Sequence, residues 1–128
     1  MPQHPEFQDY GEILLTSDQG HGFIRIDWFT PDALPTWGDG RLFIQGTEGF
    51  IELRKYTDIG RPHATDSLFL VNGTRNELIP CGDVRLPYFP RLVADVQDRT
   101  QSAVPQHHTF TATRIAIEAQ MKAEQAHA

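Results

Sequence analysis

A short loop rich in glycine and proline, residues 35–41, carries the side chains best suited to hold a polyhydroxylated ligand. The flat ring of Trp37 can stack on the face of a sugar, while Asp39 and Arg41 can hydrogen-bond its hydroxyl groups. The alternative interpretation is structural, with Trp37 anchoring the loop to the core and Asp39 closing an Asx turn. We take this loop as the first candidate for ligand contact.

Three further residues are candidates for substrate binding. Lys55 stands at the end of a predicted strand, where its ammonium group either reaches a ligand or simply lies in water as a charged strand end. His107 and His108 precede the last predicted helix, where their ring nitrogens either donate to a ligand or cap a backbone carbonyl.

Metal-ligating patterns are weak in this sequence. His63 lies between Asp58 and Asp66, and imidazole and carboxylate groups suit divalent ions, but no recognised ligand spacing accompanies them. Cys81 is the single cysteine, so an internal disulfide or a cysteine-based zinc site is not expected. We predict no metal in this chain.

Composition and charge restrict the class of protein. The 128 residues, 39% hydrophobic and 22% charged, fit one globular domain that is long enough to build a core. A net charge of −6 with scattered basic residues disfavours nucleic acid. The sequence lacks both an apolar run of the roughly 20 residues that span a bilayer and a secretory signal, so no membrane association and a cytoplasmic location are expected.

Hydrophobic alternation predicts three successive β-hairpins that would position the candidate residues. The glycines at positions 46 and 49 permit positive φ in the turn of the second hairpin. Asn72 and Gly73 form the predicted turn of the third. The hairpins cover residues 11–29, then 41–45 with 49–56, then 67–71 with 77–79.

After the hairpins the apolar residues recur at steps of three and four, which predicts helices over residues 90–101 and 109–125. Strands followed by helices indicate an α+β fold, with an open, mostly antiparallel β-sheet that has helices packed on one face. Apolar residues on both sides of the strands leave the other face available for oligomerisation.

Three segments in fixed order carry a family resemblance: FIRIDWFTP at residues 23–31, PTWGDGRL at 35–42 and GTEGFIELRKY at 46–56. With DSLFLV at 66–71 and PQHHTF at 105–110, they resemble the C-terminal domain of the glucose–fructose oxidoreductase/inositol dehydrogenase (Gfo/Idh/MocA) family. In that family an N-terminal Rossmann domain binds NAD(P), and the C-terminal sheet supplies substrate contacts and the oligomer interface.

The resemblance implies a chain that is incomplete as an enzyme. The sequence contains no Gly-x-Gly-x-x-Gly, no Glu-Lys-Pro segment and no Asp-x-x-x-His pair of the family. We therefore expect residues 1–128 to form a single substrate and oligomerisation domain without the Rossmann domain, with no cofactor bound and no catalysis alone. NAD(P) is implied only for full-length relatives, and a sugar or polyol is the implied ligand.

The expected partners are a second copy of the chain, bound through the open sheet face, and a Rossmann-domain partner or full-length homologue. Two alternatives stay open. One is a non-enzymatic dimerisation or regulatory module, and the other is a metal-dependent isomerase or hydrolase using His63 or the pair His107 and His108.

Overall fold

A computed structural model of the chain describes residues 2–61 and 66–126. All strand pairs in these residues are antiparallel, and the strands form two sheets, β1-β2 and β3-β4-β5-β6. The α+β class and the antiparallel pairing predicted from the sequence are therefore confirmed. The elements are β1 Tyr10–Ser17, β2 Gly20–Asp27, β3 Gly40–Gln45, β4 Gly49–Lys55, β5 Ser67–Asn72, β6 Asn76–Pro80, α1 Tyr88–Asp98 and α2 Gln106–Ala126.

The chain divides into two compact units, Met1–Val84 and Arg85–Ala128. The first unit contains both sheets, and the second contains both helices. The packing of the helices on one face of the sheet stays a prediction.

The four-stranded sheet has two chemically different faces, because cross-strand partners project to the same side. The face that we call the aliphatic face carries leucine and isoleucine along its centre, with Glu77 on the edge strand β6. Its cross-strand rows are Leu42, Leu53, Leu68 and Ile79, then Ile44, Ile51, Leu70 and Glu77. The opposite side, the charged aromatic face, carries Phe43, Phe50, Glu52, Arg54 and Phe69.

The turn between β3 and β4 does not use the conformational freedom that its glycines permit. No described glycine has a positive φ, and this includes Gly46 and Gly49. Gly49 is required for space instead, since a Cβ there would lie 2.2 Å from the carbonyl oxygen of Val71. The close approach of β5, rather than a left-handed turn, therefore excludes a side chain at this position.

The connection between the helices is organised by Asp95, a buried residue on α1. Its carboxylate accepts hydrogen bonds from the Thr100 hydroxyl at 2.6 Å, from the Ser102 hydroxyl and N–H at 2.8 Å each, and from the Ala103 N–H at 2.8 Å. These bonds, led by that of Thr100, hold the pKa of Asp95 well below its usual range. The turn after α1 is thereby tied back to the helix.

The hydrophobic core that the composition allows is not formed within this structure. No hydrophobic residue of the described chain is buried, and the accessible surface is 11279 Å². A compact monomer of 14.5 kDa exposes about 6,900 Å², and two separate compact bodies the size of the two units expose about 8,200 Å². The chain therefore exposes about 3,000 Å² more than even separate compact units would.

Candidate functional site

The candidate site lies on the connection between β2 and β3 in the first unit. Trp28 directly follows β2, and its N–H donates to the carbonyl of Asp9 at 3.0 Å, which extends the β1-β2 ladder by one residue. Trp37 precedes β3 by three residues, and its ring lies 5.6 Å from that of Trp28 with an angle of 83° between the planes. The contact between the two indoles therefore joins the two ends of the loop between β2 and β3.

Three rings form a connected aromatic cluster, which consists of Phe7, Trp28 and Trp37. Phe7 contacts Trp28 edge-on at 5.6 Å, and Trp28 contacts Trp37 in the same manner. Trp37 nevertheless remains 83% exposed, so it does not anchor the loop to a core as the structural alternative required. An edge-on contact covers at most one face of the indole, which leaves the other face open for stacking.

Asp39 and Arg41 form an ion pair two residues beyond the exposed indole. The Nε and Nη2 atoms of Arg41 both bind Oδ2 of Asp39, at 2.9 and 2.8 Å. Within the described residues, Oδ1 of Asp39 and Nη1 of Arg41 make no hydrogen bond. The Asx turn considered for Asp39 is replaced by this pair, which presents an acceptor and a donor side by side.

The loop around Trp37 is held locally by one side chain. The Thr36 hydroxyl donates to the carbonyl of Gly38 at 2.8 Å, bridging the residue that carries the indole. This bond restricts the backbone on both sides of Trp37, and it is half-buried against the loop. The exposed Trp37 ring is therefore carried by a backbone segment that this hydrogen bond restrains.

Lys55 lies at the same end of the β3–β4 hairpin as the loop, as the cross-strand partner of Gly40. It projects from the opposite face to Arg41, whose cross-strand partner is Arg54. The ammonium nitrogen of Lys55 lies 4.7 Å from the centre of the Tyr56 ring, and interaction with the Tyr56 side chain raises the pKa of Lys55. Tyr56 itself adopts a left-handed conformation with φ of 70°, and its N–H donates to the carboxylate of Asp66 at 3.3 Å. Lys55 is therefore followed directly by a turn whose backbone is constrained at Tyr56.

A shallow depression of about 230 Å³ opens beside the start of β3 and the end of β4. Complete small-molecule sites usually enclose about 300–1,000 Å³, so the depression alone is smaller than a full site. Its lining residues are Gly40, Arg41, Leu42, Leu53, Arg54, Lys55, Asp66, Ser67 and Cys81.

Asp58 has a structural role that the sequence reasoning missed. Its side chain is only 3% exposed and pairs with Arg54 at 3.1 Å and with Arg61 at 2.6 Å. The hydrogen bond from Arg61 is the main cause that lowers the pKa of Asp58. Both guanidinium groups lie 5.1 Å from the centre of the Phe69 ring. The carboxylate therefore bridges two arginines on the charged aromatic face, one of which, Arg54, also pairs with Glu52.

The placement of His107 and His108 differs from the sequence prediction. Both lie within the first turn of α2 rather than before it, with their rings 4.4 Å apart. The helix begins earlier because the side-chain oxygen of Gln101 accepts the N–H of Gln106 at 2.8 Å. The two histidines belong to the second unit, whereas the loop and Lys55 belong to the first.

Sequence reasoning missed Trp28 and Phe7 as members of the cluster. Trp28 was recognised only as an apolar residue in an alternating strand, and its contact with Trp37 depends on how the loop closes. The sequence did carry one signal for this contact, since the chain has two tryptophans and both lie between the end of β2 and the start of β3.

In the described residues no group of three or more His, Cys, Asp or Glu side chains is arranged to hold a metal ion. His63, named as a metal candidate, lies outside the described residues. None of the described helices is both long and apolar enough to cross a bilayer.

The chain is similar to part of a larger protein of known structure. It matches the crystal structure of a "putative oxidoreductase" from Erwinia carotovora atroseptica SCRI1043 with 47% sequence identity and a TM-score of 0.87. The match covers 94% of this chain and 36% of that one, so this chain spans little more than a third of its length. No family model and no curated protein matches the sequence.

Proposed function

We propose that this chain is the substrate-binding and oligomerisation part of an NAD(P)-dependent sugar or polyol oxidoreductase of the Gfo/Idh/MocA type, and that it is not catalytic alone. The observation that carries the proposal is the 47% identity with about a third of an oxidoreductase-like protein. The order of the segments that resemble the family supports the finer assignment.

The described residues do not fit a dinucleotide. A Rossmann site needs parallel strands, with a glycine-rich turn leading from a strand into a helix. Here every described strand pair is antiparallel, and the first helix of the described chain begins after all six strands. We therefore assign the redox step to a separate nucleotide-binding domain and derive no step through NAD(P) in this chain.

The chain's own proposed task is to hold and orient the substrate. Trp37 stacks on the carbon skeleton, and Asp39 and Arg41 bind hydroxyl groups next to it. Lys55 lies at the same end of the β3–β4 hairpin as the loop and contributes a cationic donor. We propose His107 and His108 as further substrate contacts from the second unit.

The exposed surface supports a chain that works in a larger assembly. A standard interface buries about 800 Å² on each partner, which is well below the surplus of about 3,000 Å² here. One ordinary dimer contact would therefore leave much apolar surface in water. Two partners would cover this surplus surface, a nucleotide-binding domain and a second copy of the chain.

A domain exchange tests the proposal. The matching third of the Erwinia protein is replaced by residues 1–128, and parent and chimera are assayed for NAD(P) reduction with a panel of sugars and polyols. We expect substrate-dependent reduction by the chimera, with a substrate preference that follows residues 1–128. A folded chimera that reduces NAD(P) with none of the sugars and polyols in the panel would contradict the proposal.

The isolated chain provides the complementary measurement. Titration with NADH, followed by quenching of nucleotide fluorescence, should show no saturable binding, because the dinucleotide cradle belongs to the other domain. Saturable quenching by residues 1–128 alone would place a nucleotide site in this chain and overturn the assignment.

The open sheet favours one second candidate, a non-enzymatic module that dimerises or regulates a full-length homologue by mixed assembly. Apolar side chains exposed on both sheet faces support this reading. Light scattering of the chain mixed with a full-length homologue distinguishes it, since a monomer without affinity for the homologue excludes a regulatory module.

A further inference from the structure

Strand β3, Gly40–Gln45, lies at an edge of the four-stranded sheet, where no described strand pairs with its outer side. The N–H of Gly46 donates to the carbonyl of Gly49 at 2.8 Å, so these two residues form a hydrogen-bonded pair directly beyond the β3–β4 ladder. Hydrogen-bonded and non-hydrogen-bonded pairs alternate along antiparallel strands. Every second residue of β3 therefore directs its N–H and carbonyl away from the sheet, and these residues are Arg41, Phe43 and Gln45.

The two edges of this sheet differ in how they are protected. Proline and charged side chains are the features that usually keep an edge strand from pairing with another chain. Strand β6 ends in Pro80, and its Glu77 forms an ion pair with Arg75 at 2.6 Å. Strand β3 contains no proline, and its only charged residue is Arg41. Of the two edges, β3 is therefore the one that can accept a further strand.

The sequence of β3 is complementary to itself when a second copy pairs antiparallel to it about a twofold axis at Phe43. The two Phe43 rings then meet across the strands. Leu42 of each copy lies opposite Ile44 of the other, so aliphatic side chains meet on the aliphatic face. Arg41 lies opposite Gln45, so no like charges face each other.

The backbone of β3 fits the same register. With the axis at Phe43, the residues that direct their backbone groups outward are those that form the hydrogen-bonded pairs between the copies. Each such pair exchanges two hydrogen bonds, so the contact contains about six of them. A register with the axis at Leu42 is poorer, because it leaves Gln45 beyond the paired residues and forms only about four.

We infer that β3 is the strand through which two copies of the chain join their four-stranded sheets into one continuous sheet. The inference rests on the oligomerisation role in the proposed function, for which it names the contact. A twofold contact uses the same edge in both copies and is therefore closed at two, while Pro80 limits addition at the opposite edge. Both copies keep their aliphatic face on one side, so that face stays free for a separate contact.

Charges placed at the axis test the contact. In Phe43→Glu two carboxylates face each other, and in Phe43→Lys two ammonium groups do, so each variant should bind itself more weakly than the wild type does. An equimolar mixture brings opposite charges together. We expect Phe43→Glu to bind Phe43→Lys at least about threefold more tightly than either variant binds itself. Sedimentation of each variant alone and of the mixture measures these dissociation constants, with circular dichroism to confirm folding.

Leu78→Glu and Leu78→Lys provide the matched control. Leu78 lies in the same cross-strand row as Phe43 but on the opposite edge strand, β6. Association of these two variants, alone and mixed, should equal that of the wild type. A mixture of the Phe43 variants that associates no more tightly than each variant alone, or an equal effect at Leu78, would overturn the inference.

Hydrogen exchange of the wild-type chain gives a measurement that does not depend on the folding of any variant. Because the N–H of Phe43 points away from β4, it is protected only when another strand covers this edge. We expect its exchange to be at least about tenfold slower in the associated chain than after dilution. Unprotected exchange of this N–H in the associated chain, or protection that persists in the 14.5 kDa monomer, would also reject the contact.

The outcomes separate this inference from the proposed function. Tighter association of the mixed Phe43 variants together with an inactive chimera retains the contact and rejects the oxidoreductase assignment. An active chimera, together with Phe43 variants that associate as the wild type does, retains the assignment and rejects the contact.

Discussion

At the scale of single residues, the carboxylate of Asp95 gathers four hydrogen bonds from the turn that follows α1. It binds two hydroxyl groups and two backbone N–H groups from Thr100, Ser102 and Ala103. Asp95→Asn replaces one acceptor oxygen by an NH2 group, which faces donors and leaves them unpaired. We expect the thermal midpoint of the helical circular dichroism signal to fall by about 5 °C or more.

The matched control for this substitution is Asp98→Asn. Asp98 ends the same helix, is exposed, and makes none of these contacts. It should leave the midpoint nearly unchanged. Equal midpoints for the two variants would show that Asp95 does not secure the turn.

The lowered pKa of Asp95 also predicts how its contribution depends on pH. Because the folded pKa is depressed, the stabilisation is fully present above the ordinary carboxyl pKa near about 3.9 and is lost as the pH falls towards the folded value. Thermal melts of the wild type and Asp95→Asn should therefore differ by a constant amount from pH 5 to 7 and converge progressively below about pH 4. A gap that stays constant down to pH 2 would contradict this.

At the scale of elements, β4 is held most strictly at Gly49, where it begins beside β5. A Cβ at Gly49 would lie 2.2 Å from the Val71 carbonyl oxygen and 2.8 Å from the Asn72 Cβ. Gly49→Ala therefore forces the strands apart, at a cost of about 1–3 kcal/mol in the free energy of unfolding. Urea denaturation measures this cost.

Gly73→Ala is the control, because a Cβ there meets nothing within 4 Å and no positive φ opposes it. It should change the free energy of unfolding by less than about 0.5 kcal/mol. If both alanine variants unfold alike, the close approach of β5 is not what requires glycine at position 49.

The sequence predicted the elements better than their ends. The turn at Asn72 and Gly73 was predictable because the Asn72 side chain accepts the nearby N–H groups of Thr74 at 2.9 Å and Arg75 at 2.8 Å, which is a local interaction. The start of α2 was misjudged because its first N–H is satisfied by Gln101, which lies outside the helix. Signals that reach across a loop are not visible in periodicity.

The candidate site likewise divides into residues that local sequence identifies and residues that only the folded chain brings together. Residue type alone marked Trp37, Asp39 and Arg41 as candidates for ligand contact and left a structural role for Trp37 and Asp39 open. Trp28 and the burial of Asp58 could not be predicted, since both depend on which side chains meet when the loop and strand ends close. Residue types identify the side chains that we propose contact a ligand, whereas the groups that support them appear only in the fold.

At the scale of the whole molecule, the aliphatic face is the surface best suited to a second copy of the chain. Its two central strands, β4 and β5, contribute only leucine and isoleucine to these rows, Glu77 lies on the edge strand β6, and Leu42 on the opposite edge strand is 50% exposed. Two such faces can pack against each other as sheets do, about 10 Å apart. The charged aromatic face is less suited, because its ion pairs would lose water on burial.

This difference between the faces predicts the effect of a single charge. Leu42→Asp would place a carboxylate in an apolar contact between two copies, and burial of an unpaired charge should raise the dimer dissociation constant at least about tenfold. Leu86→Asp, a matched change at an 82% exposed residue outside the sheets, should leave the constant unchanged.

Sedimentation of the purified chain over a range of concentrations measures both variants, with circular dichroism to confirm that each remains folded. The wild type should show a mass above 14.5 kDa that falls on dilution, and Leu42→Asp should reach 14.5 kDa at higher concentrations. A wild type that stays at 14.5 kDa throughout would mean that the aliphatic face does not bind a second copy. An equal effect of Leu42→Asp and Leu86→Asp would place the contact elsewhere, because only Leu42 lies on this face.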